Sequence, residues 1–184
     1  PAAYGRLWRA FRRLKPDIVH TRNIAAVDTI FVAKLAGVPA IVHSEHGLDV
    51  LELEGANATY NRLRRWTRPL VDGYVAMSAD LGRWLMTDIG VAPAKLQVIY
   101  NGVDTGRFAP GPRPVSAAPA DFLPDDPFVI GTAARLAAVK DPVTLAKAFI
   151  RVLELRPAFA ERLRLVVVGD GPEKADMEAV LMQA

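Results

Sequence analysis

The sequence predicts an α/β fold of two Rossmann-like units, each a doubly wound parallel sheet, and three observations carry that prediction. Short apolar runs rich in Val, Ile and Tyr recur along the chain: "DIVHT" (17–21), "AIVHSE" (40–45), "GYVAM" (73–77) and "LQVIY" (96–100). They are continuous rather than alternating, as parallel strands are when helices cover both faces. Helix-length segments separate them, which is the spacing of βαβ units. Finally, the texture breaks once, in "RFAPGPRPVSAAPADFLPDDP" (107–127), and the alternation restarts with "FVIGTA" (128–133) and "LRLVVVG" (163–169).

Each element has its local reason. Arg6, Arg9, Arg12, Arg13 and Lys15 flank a stripe of Leu7, Phe11 and Leu14, the pattern of an amphipathic surface helix. Residues 24–37 read as a helix closed by Gly37. Asn57 is placed to cap a helix over 58–70, which carries the second basic cluster, Arg62, Arg64, Arg65 and Arg68. Ser78 is placed to cap a helix that ends at Gly90. The Pro-rich stretch 107–127 has no periodicity and reads as a linker. It separates residues 1–106, the later part of an N-terminal domain, from residues 128–184, the first part of a C-terminal one. In the second unit Asp141 and Pro142 open a helix over 142–155, and another starts near 173.

Composition narrows the function classes. The chain is 51% apolar, which argues against disorder, and no apolar run approaches bilayer-spanning length. It has no cysteine, so disulfides, thiolate metal sites and a cysteine nucleophile are excluded; that fits a cytoplasmic location. The net charge is +3, and its basic clusters are either solvated helix faces or surfaces for an anionic membrane.

In a doubly wound sheet, ligands bind outside the carboxyl ends of the strands. The residues expected there are Arg22 and Asn23; Glu45, His46 and Gly47; Ser78; Asn101 and Gly102; Arg135 to Lys140; and Asp170 and Gly171. Arg135 and Lys140 stand beside a helix N-terminus and are suited to two neighbouring phosphates, though a pair of solvated loop charges has the same spacing. His46, at the rim of the sheet, suits a polarising or hydrogen-bonding role. His43, inside the strand, reads as a satisfied core histidine. Glu45 is either a base or a surface charge at the strand end. There is no G-x-x-x-x-G-K-[ST], and "GDGPEK" is a weak dinucleotide signal that reads equally as a turn opening a helix. No Asp-x-Asp pair occurs, so a bound diphosphate is expected to be neutralised by protein cations rather than a metal, with no cofactor.

The ordered runs "PDIVHTRN", "HSEHGLDV", "VAMSADLGRWL", "LQVIYNGVDTGRFAP", "IGTAARLAAVKDPVTLAKAF" and "LRLVVVGDGPEKADMEAVL" resemble the retaining glycosyltransferases of family 4 over nearly the whole chain. Within that family, "VHTRN", "EHGLDV" and "YNGVDTGRF" look most like sugar transferases of PEP-CTERM/exosortase exopolysaccharide loci. The resemblance implies a GT-B fold of two Rossmann-like domains facing a cleft, and transfer from an NDP-sugar to a glycan or lipid-linked hydroxyl with retention. It matches Arg135 and Lys140 to the donor-diphosphate contacts and His46 to the cleft histidine. Asn23, Glu45, Gly47, Asn101 and Gly171 fall on rim positions, and Asp104 on a structural one. The family's Gly-rich loop is expected before Pro1, and its pair of glutamates seven residues apart after Ala184. Glu173 and Glu178 do not have that spacing. The resemblance thus implies a central fragment, inactive alone, of an enzyme that binds no nucleic acid. An NDP-sugar 2-epimerase of similar fold and a non-catalytic GT-B-like binding module are the alternatives.

Overall fold

The computed structural model describes residues 2–47, 57–111, 122 and 126–183, and divides into two compact units, 1–108 and 109–184. Most of the Pro-rich stretch expected to be a linker lies outside the described residues. In the first unit the order is α1 (Ala2–Leu14), β1 (Ile18–Arg22), α2 (Thr29–Leu35), β2 (Ala40–Glu45), α3 (Ala58–Thr67), β3 (Gly73–Ala76), α4 (Ala79–Trp84) and β4 (Leu96–Val98). The four strands form one sheet in the order β1-β2-β3-β4, parallel throughout. The second unit holds β5 (Phe128–Ala133), α5 (Pro142–Leu155), β6 (Leu163–Val168) and α6 (Lys174–Met182), with β5 and β6 paired in parallel.

The caps behave as their chemistry requires. The Asn57 side chain accepts hydrogen bonds from the N–H groups of Thr59 and Tyr60, and Ser78 Oγ accepts from Leu81 N–H. Both satisfy amides that a helix start leaves unpaired. The helix expected over 24–37 is shorter, because residues 24–26 form a 3-10 turn and only Thr29–Leu35 are α-helical. Likewise α3 gives way to a 3-10 turn at Pro69, whose ring lacks the N–H a helix needs, and α4 runs into a single π turn over Leu85–Ile89.

The core of the first unit is built on Ile30, Ile41, Val71, Tyr74, Leu85 and Ile89, all buried. Phe11 anchors α1 against it, whereas Leu14 at the end of the expected apolar stripe is 68% exposed. The second unit has a smaller core of Leu136, Ala146 and Met177, with Val167, Val180 and Leu181 packed on it.

The second basic cluster is a solvated face only in part: Arg62 and Arg65 are exposed, Arg68 is half-buried and Arg64 is buried. Arg64 is 3% exposed and pairs with Glu45, and Arg65 donates to the Asp88 carbonyl. Arg68 donates to the carbonyls of Ile89 and Gly90. These carbonyls close the π turn after α4, where chain-end oxygens lack helical partners and favour a cation.

Candidate functional site

The carboxyl edge of the first sheet carries two polar networks, one on each face of β2. Side chains alternate along a strand, so His43 and Glu45 share one face while Ser44 and His46 share the other. On the first face Thr21 Oγ1 lies 2.7 Å from His43 Nδ1, and His43 Nε2 lies 3.2 Å from Glu45 Oε1. Arg64 Nε donates to the same carboxylate oxygen at 2.7 Å. An ionised carboxylate only accepts, so His43 Nε2 carries a hydrogen and, in the neutral ring, Nδ1 takes the Thr21 hydroxyl hydrogen.

Burial alone would raise the Glu45 carboxyl. Hydrogen bonds from His43 and Arg64, with the Arg64 charge, outweigh it and hold the group below its ordinary value. Glu45 is therefore neither a surface charge nor a side chain open to a cleft; it is fully buried, with Oε1 held by His43 and Arg64. His43 is the satisfied core histidine the sequence suggested, and it also meets Tyr74 edge-on at 5.8 Å between ring centres.

The second face stays at the rim. His46 is half-buried; its backbone N–H donates to Asn23 Oδ1 at 2.8 Å, and its Nε2 lies 3.0 Å from Ser44 Oγ. Asn23 follows β1 with φ 54° and ψ 179°, a positive-φ extended conformation strained for any residue with a Cβ, and its own N–H donates to the Ser44 carbonyl. That twist turns the Asn23 amide across to the end of β2. Loss of solvation, followed by the positive charge of Arg22 and by His20, keeps the His46 ring below its ordinary value. Gly47 continues the chain at φ 148°. Asn101 is exposed past β4, and Asp104 Oδ1 accepts from the N–H groups of Gly106 and Arg107, so Asp104 closes a turn.

The second unit presents its own carboxyl edge. Arg135 stands two residues past the end of β5, and Lys140 ends a 3-10 turn over Ala138–Lys140. Both are exposed, and among the described residues neither side chain has a hydrogen bond or ion pair. Asp141 caps α5 in a left-handed conformation, φ 44°, accepting from Thr144 N–H; hydrogen bonding from the Thr144 side chain, then from its N–H, holds the Asp141 carboxyl below the usual range. The loop is laced to the one after β6: Leu136 N–H donates to the Asp170 carbonyl, and Glu173 N–H to the Leu136 carbonyl. Gly171, with φ 158°, packs so closely that a Cβ there would collide with the Leu136 carbonyl, and one on Gly169 would collide with that of Ala134. Gly171 thus lets two loop backbones touch beneath Arg135 and Lys140.

Sequence reasoning missed Ser44, Thr21 and Arg64 as parts of the first edge. The alternation of "HTRN" and "HSEH" held the signal for the first two, but Arg64 comes from the middle of a helix whose facing could not be read without the fold.

Parallel α/β units with polar groups gathered at the carboxyl ends of their strands place the chain among GT-B-type glycosyltransferase folds. The apo structure of OtsA aligns with 99% of the chain and 46% of its own length at TM-score 0.74 and 17% identity. Alr3699/HepE of Anabaena, solved in complex with UDP-glucose, aligns with 98% of the chain and 47% of its own length at TM-score 0.67 and 18% identity. At these identities the likeness is one of fold. More particularly, the chain belongs to Glycosyltransferase Family 4, whose family model matches residues 1–107. A D-inositol 3-phosphate glycosyltransferase of Thermobifida fusca (strain YX) is 31% identical over 161 residues, covering 83% of this chain and 37% of that protein. The UDP-Gal:alpha-D-GlcNAc-diphosphoundecaprenol alpha-1,3-galactosyltransferase of Escherichia coli is 28% identical over 178 residues, covering 94% of this chain and 45% of that protein. The chain spans less than half the length of these relatives.

Proposed function

We propose that the protein is part of a hexosyltransferase that moves a sugar from an NDP-sugar to an acceptor hydroxyl with retention of configuration. The observation that carries this reading is the pair Arg135 and Lys140, exposed and without side-chain partners among the described residues, beside the first turn of α5. A planar guanidinium and a point-charge ammonium at a helix start are suited to a diphosphate, whose charge grows as the sugar leaves. With no Asp-x-Asp pair in the chain, these cations take the neutralising role a metal has elsewhere. UDP and UDP-glucose are the ligands in structures of the same fold, which supports a nucleotide-sugar donor. His46 then acts at the acceptor side as a polarising group, with Asn23 bonded to its backbone, Gly47 next in the chain, and Asn101 further along the same carboxyl edge past β4. Unlike a 2-epimerase, such an enzyme consumes an acceptor.

UDP titrated into the labelled chain tests this. It is expected to shift the amide signals of residues 134–145, and Arg135→Ala to weaken binding roughly ten- to hundred-fold, the loss of charge-assisted hydrogen bonds worth about 1.5–3 kcal/mol. UDP that leaves those signals unmoved, or binds the variant equally well, overturns the reading.

A lipid-linked acceptor, as in exopolysaccharide assembly, would place the protein on the inner face of the membrane, in the cytoplasm. No helix among the described residues is long and apolar enough to cross a membrane. Helix α1 instead offers Tyr4 and Trp8, each more than 40% exposed, with Arg12 stacked at 6.0 Å over Trp8 and no acidic residue in its sequence. Aromatic rings with arginines suit an anionic bilayer surface, each cation adding about 1 kcal/mol. Co-sedimentation with vesicles is expected to rise with their anionic lipid content and to fall in Arg9→Glu/Arg12→Glu; indifference to lipid charge removes this partner.

A further inference from the structure

We propose that Ser44 is a positioning residue that ties His20 and His46 into opposite tautomers, so that His46 presents Nδ1–H at the rim as a hydrogen-bond donor. The inference rests on the reading of His46 as the group that meets a sugar or acceptor oxygen.

The geometry comes from the register of two strands. Arg22 lies opposite Ser44, and His20 opposite Val42, so His20, Ser44 and His46 project from one face of the sheet. Ser44 is fully buried, and its Oγ lies 2.8 Å from His20 Nε2 and 3.0 Å from His46 Nε2. A hydroxyl carries one hydrogen, so it donates to one of these nitrogens and accepts from the other. No other acceptor for that hydrogen lies within reach of Ser44 Oγ among the described residues. With both rings neutral, one histidine therefore holds its hydrogen on Nε2 and the other on Nδ1.

The surroundings decide which is which. His20 is exposed, and a solvated neutral imidazole prefers the Nε2–H form. His20 then donates to Ser44, Ser44 donates to His46 Nε2, and the His46 hydrogen resides on Nδ1. The His46 backbone is fixed independently by Asn23. Ring and backbone are thus held by different residues, and among the described residues Nδ1 is the ring nitrogen left for a ligand. A donor at that place fits a sugar hydroxyl or a developing oxyanion. It does not fit a base that must take a proton.

Nitrogen-detected spectra of the histidine rings in the labelled chain, at about pH 8 where imidazoles are neutral, test the assignment. The expected pattern is a protonated Nδ1 and bare Nε2 for His46, and the reverse for His20. Ser44→Ala is expected to return His46 to the averaged, mainly Nε2–H pattern of a free ring. His20→Ala removes an exposed ring instead of a buried hydroxyl and is expected to release the Ser44 hydrogen and average His46 in the same way, so a folding defect in the first variant does not decide the matter. A wild-type His46 protonated on Nε2, or one unmoved by His20→Ala, overturns the proposal. No donor is added, so these spectra stand or fall separately from UDP binding. Failure to bind UDP would sink the transferase reading and leave the ring assignment standing.

Discussion

The carboxyl edges of the two sheets are built in opposite ways. At the end of β2, His43, Ser44, Glu45 and His46 each have at least one side-chain partner, and three of the four are buried. At the end of β5, Arg135 and Lys140 stand exposed, and only the backbone around them is fixed. A network closed on itself serves position: it holds a rim group in one orientation. Cations left without partners are open to an incoming anion, with which a carboxylate neighbour would compete.

The largest test of this contrast is Arg64→Leu. Among the described residues it leaves the Glu45 carboxylate buried with only His43 against Oε1, while Oε2 already lacks a hydrogen-bond partner. Removing one member of a buried ion pair costs about 3–5 kcal/mol. All three tryptophans, Trp8, Trp66 and Trp84, lie in the first unit, so urea unfolding followed by their fluorescence reports on that unit. A loss under 1 kcal/mol would show that the network is not what holds the edge.

The same network sets an acid limit. The folded Glu45 carboxyl sits below its ordinary value of 4.5, so its contribution is fully present above that pH and is lost as pH falls through the folded value. Wild-type protein is expected to lose stability on acidification in that window, and Glu45→Gln to lose less between the same two pH values. Equal slopes for the two proteins would detach acid stability from this carboxylate. His46 works in the same direction at higher pH. Its folded value is depressed, so its contribution is present above about 6.5 and declines as the pH drops below that.

Next in size is Gly171→Ala. The residue is held at φ 158° with its Cα against the Leu136 carbonyl, so a methyl forces the two loops apart and strains the backbone. The strain is worth about 1–3 kcal/mol, and the damage belongs to the second unit. Hydrogen exchange should therefore quicken at Leu136 and Glu173, whose amides lace the loops, while the first unit keeps its protection. Unchanged exchange there would mean that the loops do not depend on their close approach.

How much of this was legible in the sequence follows from the range of each interaction. Strands β2 and β5 and helix α5 were readable to the residue, because apolar runs and the Asp141-Pro142 start are local signals. Arg135 and Lys140 could be singled out because both lie within one connection, and the structure places both exposed at the β5 edge. The Glu45–Arg64 pair was not, since it joins residues 19 apart in sequence through the packing of α3 on the sheet. Composition pointed the wrong way for Arg64: a run of arginines on a helix reads as a solvated face, yet Arg64 is buried on a carboxylate, while Arg65, still exposed, and Arg68 close the turn after α4. Ser44 was hidden for another reason. A serine within a strand carries no signal of its own, and its role exists only once the parallel register sets His20 diagonally across from it.

The smallest expected effect is the one that sharpens the contrast most. Arg135→Ala and Lys140→Ala remove exposed side chains that hold nothing among the described residues, and each should leave stability within about 0.5 kcal/mol of wild type. A residue that stability does not need but UDP binding does is a binding residue in the plain sense, whereas Arg64 should show the reverse. Thermal unfolding of the two single variants, read beside their UDP affinities, separates the cases. If either cation proves to stabilise the free protein by 2 kcal/mol or more, it has a partner within the fold, and the β5 edge is as closed on itself as the β2 edge.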